Sequence, residues 1–323
     1  MAFVDRRSFM SYVLRISGGL LFVTLASFPW LYGQGTDTDD KRIFIHDRDV
    51  ETGFMWEHFP RWNGRLLVGY ENDHTNGPIF YTIDGDGRRD ETLFTLPDGA
   101  RINLYDIAVS AGGEIAIVGS ALTDDKRSAT FLAHITSNRQ RQIVTRLWPY
   151  CAMVVTFAAD GNIWTIGHLK DEENTHIVAA HVLRRFDSSG RMIGSRTIHR
   201  AGSDTQETSY LVSSRDRVGW FTREGEYIEF SLDGSEIARY EGPVEADQRD
   251  TSGVALSDDN DVVVGLSRNG KTELLTLDRG TRTWRLVALP KEHASTWTRV
   301  LGFDGITVVT TTASGRLTRF RTK

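Results

Sequence analysis

Apolar and polar positions along this chain fall into paired runs. An apolar stretch, a short polar or glycine turn, and a second apolar stretch closing near Gly or Thr recur six times. The copies read YDIAVSAGGEIAIVG from Tyr105, MVVTFAADGNIWTIG from Met153, YLVSSRDRVGWFT from Tyr210, GVALSDDNDVVVGL from Gly253 and RVLGFDGITVVTT from Arg299. A less regular copy, FMWEHFPRWNGRLLVGY, starts at Phe54. The second strands are predicted to begin near Arg65, Glu114, Asn162, Arg217, Asp261 and Ile306, at gaps of 49, 48, 55, 44 and 45 residues. A near-even period of this length, built only of strands, marks the blades of a propeller.

A later landmark in the repeat supports this. YTIDGDG at Tyr81–Gly87, RRFDSSG at Arg184–Gly190, EFSLDGS at Glu229–Ser235 and LLTLDRG at Leu274–Gly280 each read as a third strand ending in Asp and a turn. Asp at the first turn position accepts nearby backbone N–H groups, and Gly tolerates positive φ. A fourth strand follows, as DETLFTL, RMIGSRTI, EIARYEG and TWRLVAL. The last copy stops at its third strand, RLTRFRT, because the sequence ends at Lys323. An orphan strand at Arg42–His46 precedes the first copy and is expected to complete that last blade, which removes two open sheet edges. The expected fold is all-β: a six-bladed β-propeller of four-stranded antiparallel blades, closed by the N-terminal strand at about 42–46. No long apolar run at helical spacing follows residue 35.

The phrases Ala159-Asp160-Gly161-Asn162-Ile163-Trp164 and Phe186-Asp187-Ser188-Ser189-Gly190 resemble the repeats of six-bladed propellers of the NHL-like and virginiamycin-B-lyase-like group. The resemblance covers most of the chain as architecture and is strongest in the third blade. The lyase members imply a metal held by His and Glu on the central face. No residue here matches that motif, so the resemblance carries over the fold and no catalytic residue. A WD-repeat series is not present.

Residues 1–35 stand outside the repeat. Arg6, Arg7 and Arg15 precede 18 uncharged residues, Ile16–Gly33, the pattern of an export signal or a membrane anchor. Arg6-Arg7-Ser8-Phe9-Met10 resembles a twin-arginine export signal, with Asp5, Ser11 and Arg15 as departures from it. An ordinary positive flank explains the arginines equally well. Cleavage after Ala26 or Gly33 and retention as an anchor both stay open. The remaining 36–323 are expected to form a single propeller domain. Without Arg6, Arg7, Arg15 and Asp5 the chain keeps 35 basic and 42 acidic side chains, a formal net charge of −7, which argues against nucleic acid as a partner. The lone Cys151 forbids an internal disulfide and reads as a small buried hydrophobe.

Candidate chemistry is sparse. Asp84–Glu91 has the acidic texture of a calcium loop, but aligning on its Gly puts Thr82 and Leu93 at two ligand positions, so it reads as a blade turn. His168, Asp171, Glu172, Glu173 and His176 crowd one loop without a known ligand spacing, so it reads as a solvated polar loop. No Gly-x-Ser-x-Gly, phosphate-binding glycine loop or Cys-x-x-Cys occurs. What remains is a ring at the loops entering the first strands: Trp56, His58, Tyr105, Tyr150, Tyr210, Arg249, Trp297 and Arg299. Aromatics with Arg and His on a shared concave face suit a ligand or peptide; aromatics at strand starts also pack between blades. The sequence-level expectation is an exported bacterial envelope propeller, periplasmic or secreted, that binds a small ligand, glycan or protein on this face. No cofactor or metal is expected, and the membrane is met only through residues 16–33 if they are uncleaved. The alternative is a lyase or hydrolase whose site is assembled from several blades.

Overall fold

The computed structural model describes residues 43–323, apart from 52–59, 98, 124–127, 172–176, 199–208, 223–224, 244–249, 269–270, 294–296 and 313. Residues 1–42 therefore lie outside the described residues, and with them the candidate export segment.

The described strands form six four-stranded antiparallel sheets. β1 (Phe44–Glu51) comes first in the chain and is taken up with the last blade. The first blade is β2 (Arg61–Trp62), β3 (Leu67–Glu71), β4 (Ile79–Ile83) and β5 (Arg89–Leu93). The second is β6 (Gly99–Val109), β7 (Ile115–Thr123), β8 (Ser128–Ile135) and β9 (Gln142–Arg146). The third is β10 (Tyr150–Phe157), β11 (Ile163–Lys170), β12 (Ile177–Phe186) and β13 (Met192–Thr197). β14 (Tyr210–Ser213), β15 (Arg217–Phe221), β16 (Tyr227–Ser231) and β17 (Glu236–Tyr240) make the fourth. β18 (Asp250–Leu256), β19 (Val262–Arg268), β20 (Lys271–Asp278) and β21 (Thr283–Leu286) make the fifth. The sixth is β22 (Thr298–Phe303), β23 (Thr307–Thr312) and β24 (Arg316–Thr322), completed by β1. This is the six-bladed propeller expected from the repeat.

The closing strand is where expected in topology and later than expected in sequence. β1 pairs antiparallel with β24 from Phe44↔Thr322 to Glu51↔Arg316, so it runs five residues past His46. Asp47–Glu51 carry no strand signal in the sequence because an outermost strand buries almost nothing. After Phe44 the strand is exposed or half-exposed throughout, and its polar run gives no alternation to read. The Arg316 Nε donates to Glu51 Oε1 at 2.6 Å, and Lys323 N donates to the Ile43 carbonyl at 2.9 Å.

The core is divided among the seams. Each of the six apolar clusters joins one blade to the next, and the last joins Leu301, Val309 and Leu317 of blade six to Leu67, Tyr81 and Ile83 of blade one. Second strands are buried on both faces, which is why they read as unbroken apolar runs. Ile115 and Ile117 face the first blade while Ala116 and Val118 face the third. Burial of one such side chain is worth about 1.5–3 kcal/mol. Glycine recurs in these strands where a ring lies on the backbone: a Cβ at Gly69 would overlap the Tyr81 hydroxyl, and one at Gly219 the Tyr227 hydroxyl.

Four of the six innermost strands share a defect. β6 slips register between Leu104 and Asp106, β10 between Ala152 and Val154, β18 between Thr251 and Gly253, and β22 between Val300 and Gly302. A bulge re-aims the side chain that follows it, and this is how the second blade places a carboxylate at the centre of the ring.

Candidate functional site

Each innermost strand pairs along one edge only, so its other edge turns backbone N–H and C=O groups toward the channel. Buried groups of that kind need partners. Asp106, just past the β6 bulge, supplies one: its Oδ2 accepts the Val155 N–H of the third blade at 2.8 Å. The same carboxylate accepts Arg61 Nη2 from the first blade, at 2.9 Å to Oδ2 and 3.2 Å to Oδ1. The Arg61 guanidinium lies 5.8 Å from the centre of the Tyr210 ring, on the fourth blade. The Tyr210 hydroxyl in turn donates to the Thr251 carbonyl of the fifth blade at 2.8 Å. One ion pair thus ties blade one to blades two, three and four across the ring. Burial works against both charges. For Arg61 the facing carboxylate outweighs it and holds the guanidinium charged. For Asp106 burial pushes the carboxyl up, opposed by Arg61 and by the N–H groups of Val155 and Ile107.

Beyond this pair the channel opens into a cavity of about 590 Å³. It occupies the end where first strands turn into second strands, and every blade lines it, through Trp62, Ala108, Phe157, Leu211, Ala255 and Leu301 among others. Arg61 belongs to the lining. Asp47, Glu114, Asp258, Asp304 and Arg319 also line it, so acids outnumber bases in the lining. Hydrogen bonds link neighbouring turns: Asn63 Nδ2 donates to the Ser110 carbonyl at 2.6 Å, Ser213 Oγ to the Phe157 carbonyl at 2.5 Å, and Ser214 Oγ to Asn260 Oδ1 at 2.6 Å.

The ring of eight residues expected at the opposite, entry end is only partly described. Trp56, His58 and Arg249 lie outside the described residues. Tyr150 is fully buried; its hydroxyl donates to the Val182 carbonyl at 3.0 Å and the Arg184 guanidinium stacks 4.2 Å from its ring. Tyr105, the bulge residue of β6, is half-buried against the seam of blades two and three and donates to Ser120 Oγ at 2.7 Å. These two tyrosines are committed to a seam. Tyr210 is buried in the next seam but one, and its ring face meets Arg61. Arg299 lies 5.4 Å from the Trp297 ring. Burial lowers its pKa, and Arg61 adds repulsion, which puts the two guanidiniums in one neighbourhood. The structure therefore brings Tyr210 and Arg299 near Arg61, with Trp297 against Arg299, and leaves Tyr105 and Tyr150 in a seam.

Sequence reading missed the Arg61–Asp106 pair. The available signal was Asp106 itself, a carboxylate inside an apolar first strand. Of the polar loop at His168–His176, His168 is buried on β11, while Glu172, Glu173 and His176 lie outside the described residues. The Asp84 carboxylate accepts the N–H groups of Asp86 and Arg88, both at 2.9 Å, as a turn requires. Among the described residues no three His, Cys, Asp or Glu side chains gather as metal ligands, and no helix is long and apolar enough to cross a membrane.

Strand pairing defines the class: a closed six-bladed β-propeller. No protein-family model matches the chain, and no curated protein matches it. Among solved structures it is similar to the β-propeller domain of the Trilobed protease from Pyrococcus furiosus, at 12% identity over 83% of this chain and 93% of that one, with a TM-score of 0.48. It is also similar to YCF48 bound to D1 peptide, at 13% identity over 88% of this chain and 98% of that one, with a TM-score of 0.44. Neither likeness bears on function.

Proposed function

We propose that this chain is a binding module that holds a small polar ligand in the turn end of its central channel, without chemistry of its own. The observation that carries the reading is the cavity: about 590 Å³, lined from all six blades, with a fixed charge pair at its inner limit. A space of that size suits a small organic molecule, with apolar walls at Phe157, Leu211 and Leu301 for burial and charged and hydroxyl groups around them for orientation. Trp297 and Arg299, beyond Arg61 toward the entry end, belong to the same reading as the described part of a second contact surface for a larger ligand, glycan or protein.

The test is a thermal-shift screen of small polar fragments against the wild type and Thr156→Phe. Thr156 lines the cavity and is half-buried, so the added ring occupies ligand space. Fragments that stabilise the wild type and not the variant support the proposal; fragments that stabilise both alike count against it.

Two further parts of the proposal rest on sequence. The kinship with the NHL-like and virginiamycin-B-lyase-like group rests on the phrases at 159–164 and 186–190. Export, to the periplasm or beyond, rests on Arg6-Arg7 ahead of Ile16–Gly33. Replacing both arginines with Lys is expected to trap precursor in the cytoplasm. Unchanged export would point to the general secretory route, and cytoplasmic residence of the wild type would end the export reading.

A further inference from the structure

A second site lies in the third blade, away from the cavity lining. Cys151 and Met153 sit on β10 with Cys151 Sγ 3.8 Å from Met153 Sδ. Met153 is the bulge residue between Ala152 and Val154. Directly across the ladder from Cys151 stands His168. Opposed residues of an antiparallel pair project from the same face, so imidazole and thiol share one side of the sheet. His168 is 5% exposed, and its Nε2 is buried without a hydrogen-bond partner. A buried ring nitrogen left unpaired calls for an explanation, an absent ion among them.

We propose that Cys151, Met153 and His168 form a binding site for a soft monovalent metal ion, copper(I). Thiolate and thioether together select copper(I) over harder divalent ions, and imidazole completes such a set. The two sulfurs, 3.8 Å apart, are close enough for one ion to bridge them. The ion displaces the thiol proton to solvent as the Cu–S bond forms. No electron is transferred. Met153 is only half-buried and gives the ion a way in.

The test is an anaerobic titration of the full chain with copper(I) against a chromogenic copper(I) chelator. The expected result is withdrawal of one equivalent with a thiolate-to-copper absorption band. Met153→Leu and His168→Gln should each weaken binding by roughly tenfold or more, and Cys151→Ser should abolish both band and uptake. Met153→Leu conserves volume and decides the matter should Cys151→Ser fail to fold. Ordinary sulfur packing predicts no uptake by the wild type; that result, unchanged affinity in Met153→Leu, or equal binding of zinc would each overturn the proposal.

Discussion

Removing one member of the Arg61–Asp106 pair should destabilise the ring far more than removing both. The Arg61 side chain keeps 15% of its surface and Asp106 4%. A solvent-exposed pair would contribute roughly 0–1 kcal/mol. A buried pair behaves differently, because the surviving charge is left uncompensated, at about 3–5 kcal/mol. Asp106→Asn keeps the shape and one acceptor for Val155 N–H but strands the guanidinium between Tyr210 and an uncharged amide. Arg61→Met strands the carboxylate. At about 2–4 °C per kcal/mol for a domain of this size, each single change should lower the midpoint by on the order of 10 °C. The double variant Arg61→Met/Asp106→Asn removes both charges and should lie above either single one, since apolar replacement of a buried pair is often neutral. The assay is thermal unfolding followed by near-UV circular dichroism, read as a double-mutant cycle. Single changes costing under about 1 kcal/mol, or a double change equal to their sum, would refute the claim that this is a buried, coupled pair.

Three more outcomes are expected. A chain beginning at residue 52 lacks β1 and should be less soluble and less heat-stable than one beginning at residue 36; equal behaviour would contradict closure by that strand. Glu229, fully buried between Arg217 and Arg279, bridges blades four and five, so Glu229→Gln should cost about 3 kcal/mol or more in urea unfolding. His168 has its folded pKa lowered from 6.5 to about 4 by burial, with Lys170 adding repulsion. The unfolded chain therefore binds the proton first, so stability is full above about pH 6.5 and falls between there and about pH 4. His168→Gln should flatten that part of the pH profile of the midpoint; an unchanged profile would refute the assignment.

The blades were legible because two short-range signals agree: apolar runs in strands buried on both faces, and Asp or Gly at the turns between them. Second strands begin at Leu67, Ile115, Ile163, Arg217, Val262 and Thr307, each within two residues of the sequence expectation. The outermost strand β1 was legible only at its start, since exposure leaves no alternation to follow. The centre of the ring was not legible, for a different reason. Arg61 and Asp106 are 45 residues apart and meet only when two blades close on each other. Tyr105, Tyr150 and Tyr210 look alike in sequence, each near the start of a first strand. Whether such a ring faces the channel or a seam depends on bulges and on the neighbouring blade, and one sequence repeat does not encode that.

The most direct measurement is a crystal structure of the full chain soaked with the strongest fragment from the thermal-shift screen. The proposal predicts density for the fragment in the channel between the Arg61–Asp106 pair and the turns at Ser110, Ser213 and Asp258, and none in crystals of Thr156→Phe. A fragment bound on the outer strands or at the entry loops, with only water in the channel, would contradict it.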